Sequence, residues 1–186
     1  MILKIADITK FTLQDYPGKL ASIVWFAGCN MRCKYCHNAD LLVQKDGFLN
    51  EETVLKFLGT KVGLLDGVVL SGGECTLYDK LGAFVSKIKD LGFRVKIDTN
   101  GLNSNMIQQI VEDGLVDSIA LDFKAPKNKF TLVTQVNSAL YRNFENTLNF
   151  VVENFLNARI ELEIRTTVHT SLLGEDDLNE IIRILD

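Results

Sequence analysis

The amino-acid sequence predicts an α/β fold in which short strands alternate with amphipathic helices. Five β-rich runs occur along the chain, at 22–27, 68–70, 94–98, 118–123 and 160–168. Helical spacing lies between and after these runs, and such alternation is typical of βαβ units in a mainly parallel sheet. About five units are too few for a closed eight-unit barrel. An open, partial barrel and a doubly wound sheet both satisfy this pattern.

The helices are predicted from apolar residues that recur at positions i, i+3, i+4 and i+7. Three faces show this spacing: Leu81, Phe84, Val85 and Ile88; Leu148, Val151, Val152 and Phe155; Leu178, Ile181, Ile182 and Leu185. Asn50 precedes Glu51 and Glu52, which predicts a helix start, because Asn caps helices and acids favour the positive end of the dipole. The acidic residues at 175–177 predict the start of the last helix in the same way.

Two of the predicted strands alternate apolar and polar residues. The alternation at 94–98 and 160–169 places a polar set on the faces away from the helices. This set is Lys96, Asp98, Glu163, Arg165, Thr167 and His169. Either these strands lie at a solvated edge of the sheet, or their polar faces line a wet lumen that holds a charged ligand.

Composition limits the function classes. The 186 residues, of which 47% are hydrophobic and 24% charged, suit a single domain over 1–186. A net charge of −4 argues against nucleic acid as a partner, and no polybasic block indicates a membrane surface. The longest apolar run, 23–27, is too short to span a bilayer. The first residues lack a secretory signal pattern, so we expect a cytoplasmic protein whose cysteines serve as metal ligands or reactive groups.

Three cysteines directly follow the first of the predicted strands. Cys29, Cys33 and Cys36 have the spacing C-x3-C-x2-C, in the kind of loop where α/β proteins place their sites. A structural zinc site needs four ligands, and His37, the nearby candidate, is adjacent to Cys36. A four-iron cluster held by three thiolates instead leaves one iron open. Cys75 stands apart in the sequence, and we expect it to be a small buried residue.

A second motif lies at the end of the next predicted strand. Gly72 and Gly73 allow the backbone to approach a ligand closely. Glu74 adds a carboxylate that accepts hydrogen bonds from an ammonium group. Alone, this turn is a weak signal.

Together the two motifs resemble the signature of the radical S-adenosylmethionine (radical SAM) superfamily, and the chain is similar in particular to its glycyl-radical-enzyme activases. The residues that carry this resemblance are Asp15–Gly18, Phe26–Asn38, Asp98–Gly101, Leu121–Lys124 and Arg165. They extend in order over roughly the first 170 residues. The N-terminal half looks most like the activating protein of anaerobic ribonucleoside-triphosphate reductase.

The resemblance implies a partial, open parallel β/α barrel of about five to six βα units, with a cluster loop at 28–38. It also implies that Cys29, Cys33 and Cys36 hold a [4Fe-4S] cluster, whose fourth iron is chelated by the amino and carboxylate groups of S-adenosylmethionine. The other implied contacts are Gly72, Gly73 and Glu74 with the amino group, Lys124 and Arg165 with the carboxylate, Tyr35, Cys36 and His37 with adenine and ribose, and Asp98, Thr99 and Asp122 with a monovalent cation.

The implied activity is that of an oxidoreductase. The cluster reduces S-adenosylmethionine to methionine and a 5′-deoxyadenosyl radical, which takes a hydrogen atom from a glycine of a partner enzyme, for which we expect anaerobic ribonucleoside-triphosphate reductase. The implied electron donor is a flavodoxin- or ferredoxin-like protein. No catalytic side chain is expected beyond those that hold cluster and cofactor.

Two alternatives stay open. The same radical chemistry serves enzymes that act on a small molecule or a peptide. A non-enzymatic interaction module stabilised by zinc on Cys29, Cys33, Cys36 and His37 is the third hypothesis. The chain also departs from the family in two places, because Cys75 follows Gly-Gly-Glu where many members have Pro, and the sixth strand of the activases is not evident before Asp186.

Overall fold

The computed structural model describes residues 2–186 and contains a six-stranded sheet with the strands in sequence order. The strands are β1 (Ile5–Thr12), β2 (Ala21–Phe26), β3 (Gly67–Gly72), β4 (Arg94–Thr99), β5 (Ser118–Asp122) and β6 (Glu161–Arg165). Strand β1 runs antiparallel to β2, and the other neighbours are parallel. Because β1 and β6 are not paired with each other in the described residues, the sheet is open. The prediction of an open, mainly parallel β/α fold is confirmed.

Helices follow each of the five parallel strands, which gives the predicted number of βα units. They are α1 (Ala39–Val43), α2 (Glu51–Gly59), α3 (Leu81–Asp90), α4 (Ser104–Glu112), α5 (Phe130–Thr134), α6 (Tyr141–Leu156) and α7 (Glu175–Leu185). Helix α2 begins as predicted, with the Asn50 side chain accepting a hydrogen bond from the Thr53 N–H at 2.7 Å. Among residues 2–186, no helix combines the length and the apolar character that crossing a bilayer requires.

Two strands differ from the sequence prediction. Strand β1 was not predicted, because its pairing with β2 is interrupted by register shifts between Ile5 and Asp7 and between Thr9 and Thr12. Such bulges remove the period-two pattern by which strands are recognised. Strand β6 ends at Arg165 rather than at 168, and residues 166–169 have no regular secondary structure.

The helices cover one face of the sheet. In α3 the four predicted residues are all fully buried, and burying an apolar side chain of this size stabilises by about 1.5–3 kcal/mol. In α6 the prediction for Phe155 is wrong, because this ring is 48% exposed and the buried stripe ends on Asn154 instead. In α7, Ile181 is buried while Ile182 and Leu185 are exposed.

The opposite face of the sheet forms the lumen of the half-barrel. Its lower end, at the amino ends of the parallel strands, is filled by a small apolar cluster: Tyr16, Ala21, Ile23 and Val69, with Trp25 packed against it. Tyr16 comes from the loop after β1 and has no exposed surface. This packing fills the lumen at the amino ends of the parallel strands.

At those carboxyl ends, the loop after β2 is tied to the turn after β3. The Gly73 N–H donates to the Phe26 carbonyl at 2.8 Å, and the Glu74 N–H donates to the Gly28 carbonyl at 2.9 Å. A Cβ atom on Gly73 would overlap the carbonyl oxygen of Gly28, and one on Gly72 would overlap the backbone of Phe26. Glycine at both positions is therefore a condition for this approach of two backbones.

Gly73→Ala tests this condition. Because the obstacle is backbone rather than a flexible side chain, the strand ends must separate, and we expect the free energy of unfolding to fall by about 1–3 kcal/mol or more. Gly59→Ala is the matched control, because a Cβ there meets nothing within 4 Å and its φ is not positive. Urea unfolding of both variants checks the prediction, and equal stabilities would contradict it.

Candidate functional site

A cavity of about 590 Å³ opens at the carboxyl ends of the parallel strands, within the size range of small-molecule sites. Its wall comes largely from residues at and just beyond the strand ends: Cys29, Met31, Cys33, Tyr35, Cys36, His37, Asn38, Ser71, Gly72, Gly73, Asp98, Thr99, Asn100, Asp122, Lys124, Arg165, Thr166 and Thr167; Asp15, Trp25 and Leu42 complete it. The fold thus brings together all the predicted site residues except Glu74.

The three cysteines of the loop at 28–38 all face this cavity and are half-buried. Backbone hydrogen bonds from the N–H groups at 32 and 34 to the carbonyls at 134 and 133 anchor the loop to α5. Burial raises the pKa of Cys29 to about 11 and also raises that of Cys33, and each pKa is raised further by a neighbouring cysteine. The three thiols therefore share one partly buried wall of the cavity.

His37 lies on the wall of the same cavity, but it does not complete a closed zinc site. Within residues 2–186, no group of three or more His, Cys, Asp or Glu side chains is gathered closely enough for one metal ion. A structural zinc ion needs four ligands around a single centre. The described arrangement is instead three thiols of one loop spread over one wall of a cavity.

N–H donors support the sulfur of Cys29. The Met31 N–H donates to Cys29 Sγ at 3.3 Å, and Asn100 Nδ2 donates to the same sulfur at 3.7 Å. The Asn100 amide also donates to Asn30 Oδ1 at 2.7 Å. Such donors favour the thiolate form and tune clusters bound to it. Sequence reasoning missed this role of Asn100, although the residue lies in the Asp-Thr-Asn-Gly motif after β4.

Gly72 and Gly73 present their backbone to the cavity, and Asn38 Nδ2 donates to the Gly72 carbonyl at 3.1 Å. The carboxylate of Glu74 is not on the cavity wall and is 1% exposed. It accepts hydrogen bonds from the Thr76 N–H and hydroxyl, from the Thr99 hydroxyl and from the Asn100 N–H. Burial raises the pKa of Glu74, and these donors oppose the shift. The side chain therefore ties the turn after β3 to the turn after β4.

The floor of the cavity carries a network of paired charges. Arg165 bridges two carboxylates, with Nη1 at 3.3 Å from Asp98 Oδ2 and Nε at 3.2 Å from Asp122 Oδ1. Lys124 Nζ lies 3.0 Å from Asp122 Oδ2. Burial would lower the pKa of Arg165, but the carboxylates beside it raise that pKa overall. Lys124 and Arg165 therefore stand on one side of the cavity, where they can pair with an anionic ligand group.

Of the remaining predicted residues, Tyr35 contacts Lys124 of this network. The Tyr35 hydroxyl donates to the Lys124 carbonyl at 3.1 Å, and Lys124 Nζ lies 5.9 Å from the centre of the Tyr35 ring. Trp25 and Thr166, to which sequence reasoning assigned no role, also line the cavity, as does Thr167 of the alternating polar set. Both threonines directly follow β6, and their position after a strand end is the sequence feature that could have identified them as cavity residues.

The chemistry of these groups fits an iron–sulfur cluster with an amino-acid ligand. Three thiols of one loop would supply soft ligands to such a cluster, one fewer than its four irons. The glycine backbone and the two cations face the same space, as a zwitterionic group requires. Cys75 lies outside it, fully buried in the core, and burial raises the pKa of this thiol well above its usual value.

Comparison with known proteins connects this geometry to a family. The model of the Radical SAM superfamily matches residues 23–186. A protein of Methanocaldococcus jannaschii, named as a glycyl-radical enzyme activating enzyme, is 30% identical over 183 residues, which are 96% of this chain and 74% of the relative. The pyruvate formate-lyase-activating enzyme of Clostridium pasteurianum is 34% identical over 65% of this chain and 52% of its own length.

Other relatives carry different names. The 7-carboxy-7-deazaguanine synthase of Clostridium acetobutylicum is 26% identical, over 83% of this chain and 69% of that protein. Among solved structures, anSMEcpe with bound AdoMet has a TM-score of 0.63 at 20% identity, over 86% of this chain and 46% of that one, which shows a shared fold. The chain thus spans between about half and three quarters of the relatives named here.

Glu74→Gln tests the buried carboxylate as a positioning group. An amide nitrogen would replace one oxygen and meet an N–H or O–H donor, so we expect the free energy of unfolding to fall by about 1–3 kcal/mol. Glu153→Gln on the exposed face of α6 is the control, with little change expected. Urea unfolding measures both. If the two variants are equally stable, the network does not hold the turns together.

Proposed function

The chain belongs to the radical SAM superfamily, and on that premise we propose that this enzyme installs a glycyl radical on a partner enzyme. The family uses a [4Fe-4S] cluster and S-adenosylmethionine. Bound together, these supply one-electron cleavage of the sulfonium to methionine and a 5′-deoxyadenosyl radical, which abstracts a hydrogen atom. The observation that carries the proposal is the cavity itself, where three thiols, the glycine backbone and two cations face one space.

We assign the binding roles by chemistry. Cys29, Cys33 and Cys36 hold the cluster, and the backbone of Gly72 and Gly73 receives the amino group of the cofactor. Lys124 and Arg165 face its carboxylate, which then competes with Asp122 for the two cations. Tyr35 and His37 lie toward adenine and ribose. None of these residues has to transfer a proton, because the reaction moves an electron and a hydrogen atom.

The relatives named as activating enzymes support a protein substrate. In this proposal a glycine-bearing loop of the partner enters the cavity from the open end of the half-barrel. Anaerobic ribonucleoside-triphosphate reductase is the partner that we predict from the N-terminal motifs. The electron donor is a flavodoxin- or ferredoxin-like protein in the same prediction.

A second candidate is the same radical chemistry on a small molecule. It is favoured by the relative named 7-carboxy-7-deazaguanine synthase, which matches 83% of this chain. The cavity wall also offers the aromatic ring of Trp25 and the carboxylate of Asp15. These groups suit a planar, polar substrate.

Cys33→Ala tests the cluster assignment. We expect the anaerobically purified variant to lose iron and inorganic sulfide, and to lose reductive formation of methionine by at least about 100-fold, because cluster binding requires all three thiolates. Cys75→Ala is the matched control, since this cysteine lies in the core outside the cavity, and it should keep both. Zinc without sulfide in the wild-type protein would contradict the assignment.

The substrate is tested by mixing reduced protein, S-adenosylmethionine and a candidate glycyl radical enzyme. We expect the doublet of a glycyl radical by electron paramagnetic resonance with the anaerobic reductase, and no signal when the acceptor glycine of the reductase is replaced by alanine. A radical on pyruvate formate-lyase alone would keep the activase proposal and correct the partner. Cofactor consumption that depends on a metabolite and leaves both proteins without a radical would favour the small-molecule alternative.

A further inference from the structure

A buried lysine lies beneath the floor of the cavity and has no part in the proposed function. Lys96 is on β4, two residues before Asp98 on the same face of the strand, and its side chain is 2% exposed. We propose that the ammonium of Lys96 occupies a monovalent-cation position among oxygen atoms of the protein. An inorganic cation binds at this position only when the lysine is replaced.

Three oxygens from three parts of the chain surround this ammonium. Lys96 Nζ donates to the Asp15 carbonyl at 2.6 Å, and it lies 3.3 Å from Asp98 Oδ1 and 3.1 Å from Glu163 Oε2. The two carboxylate oxygens are buried and accept no hydrogen bond from the described residues. The ammonium is thus the cation in contact with both. Carbonyl and carboxylate oxygens are the ligands that hard cations prefer.

The charges of the ion-pair network around Lys96 balance without a metal ion. Three cations, Lys96, Lys124 and Arg165, are linked by ion pairs to three carboxylates, Asp98, Asp122 and Glu163. An additional cation would have no free counter-charge among them. Since isolated charges are costly to bury, the balanced network resists it.

The residues that the family resemblance assigns to a monovalent cation do not fit one here. Both oxygens of Asp98 and both oxygens of Asp122 are paired with protein cations. The Thr99 hydroxyl donates to Glu74 at 2.9 Å. The Lys96 ammonium therefore supplies, within the lumen, the positive charge that the resemblance assigns to a monovalent cation.

Replacing Lys96 by methionine removes the charge and the ammonium group, and it keeps an unbranched apolar chain in place of the lysine stem. The Asp15 carbonyl, Asp98 and Glu163 then form a set of oxygens with excess negative charge, which suits Na⁺ or K⁺. This consequence can be measured in the full chain without cluster or cofactor, so its outcome is independent of the proposed function.

The experiment compares thermal unfolding in potassium chloride, sodium chloride and choline chloride at equal ionic strength. We expect the wild-type protein to unfold at the same temperature in all three. Lys96→Met should unfold at a lower temperature in choline and gain at least about 2–4 °C, saturably, in Na⁺ or K⁺. In Lys96→Met combined with Glu163→Gln, one carboxylate remains and the cation-specific gain should disappear. Lys87→Met breaks an exposed ion pair with Glu51 and should show no such gain.

Three results would overturn the proposal. A wild-type protein that is stabilised by Na⁺ or K⁺ over choline binds an inorganic cation while Lys96 is present. A Lys96→Met protein that folds but responds equally to all three salts shows that no cation replaces the ammonium. A Lys96→Met protein that is unfolded in all three salts also shows that neither Na⁺ nor K⁺ replaces the ammonium.

Discussion

The backbone contact between the loop after β2 and the turn after β3 is the constraint on which the site depends. Hydrogen bonds from Gly73 and Glu74 reach the carbonyls of Phe26 and Gly28, and glycine at 72 and 73 makes this approach possible. The same turn buries the carboxylate of Glu74, which accepts from the Asn100 N–H. The side-chain Nδ2 of Asn100 in turn donates to the Cys29 sulfur. Two hydrogen bonds of Asn100 therefore connect this turn to the cysteine loop.

The residues of the lumen form two layers with different roles. Apolar packing around Tyr16 closes the lower end, and paired charges lie above it. Burying charges is costly unless each has a partner, and this network supplies a partner for each. Charges that are held in place before a ligand arrives need little reorganisation when it binds. Lys124 and Arg165 share Asp122, so a ligand carboxylate enters a site whose cations are already positioned.

Much of this fold was readable from the sequence, because its signals are local. The five parallel strands, the buried face of α3 and the helix start at Asn50 each follow from periodicity or from one capping residue. Strand β1 was missed because bulges break its alternation. The inward turn of Glu74 depends on partners 25 and 26 positions away, and the contact of Asn100 with Cys29 spans 71 positions. Contacts of this kind are set by the strand order, which no short pattern encodes.

The central claim is that three thiolates hold a four-iron cluster whose remaining iron binds the amino and carboxylate groups of S-adenosylmethionine. Electron–nuclear double resonance on the reduced, reconstituted protein tests it most directly, with the cofactor labelled by ¹⁵N in its amino group and by ¹⁷O in its carboxylate. The account predicts hyperfine coupling of both nuclei to the cluster. A cluster signal without coupling to either label would contradict it.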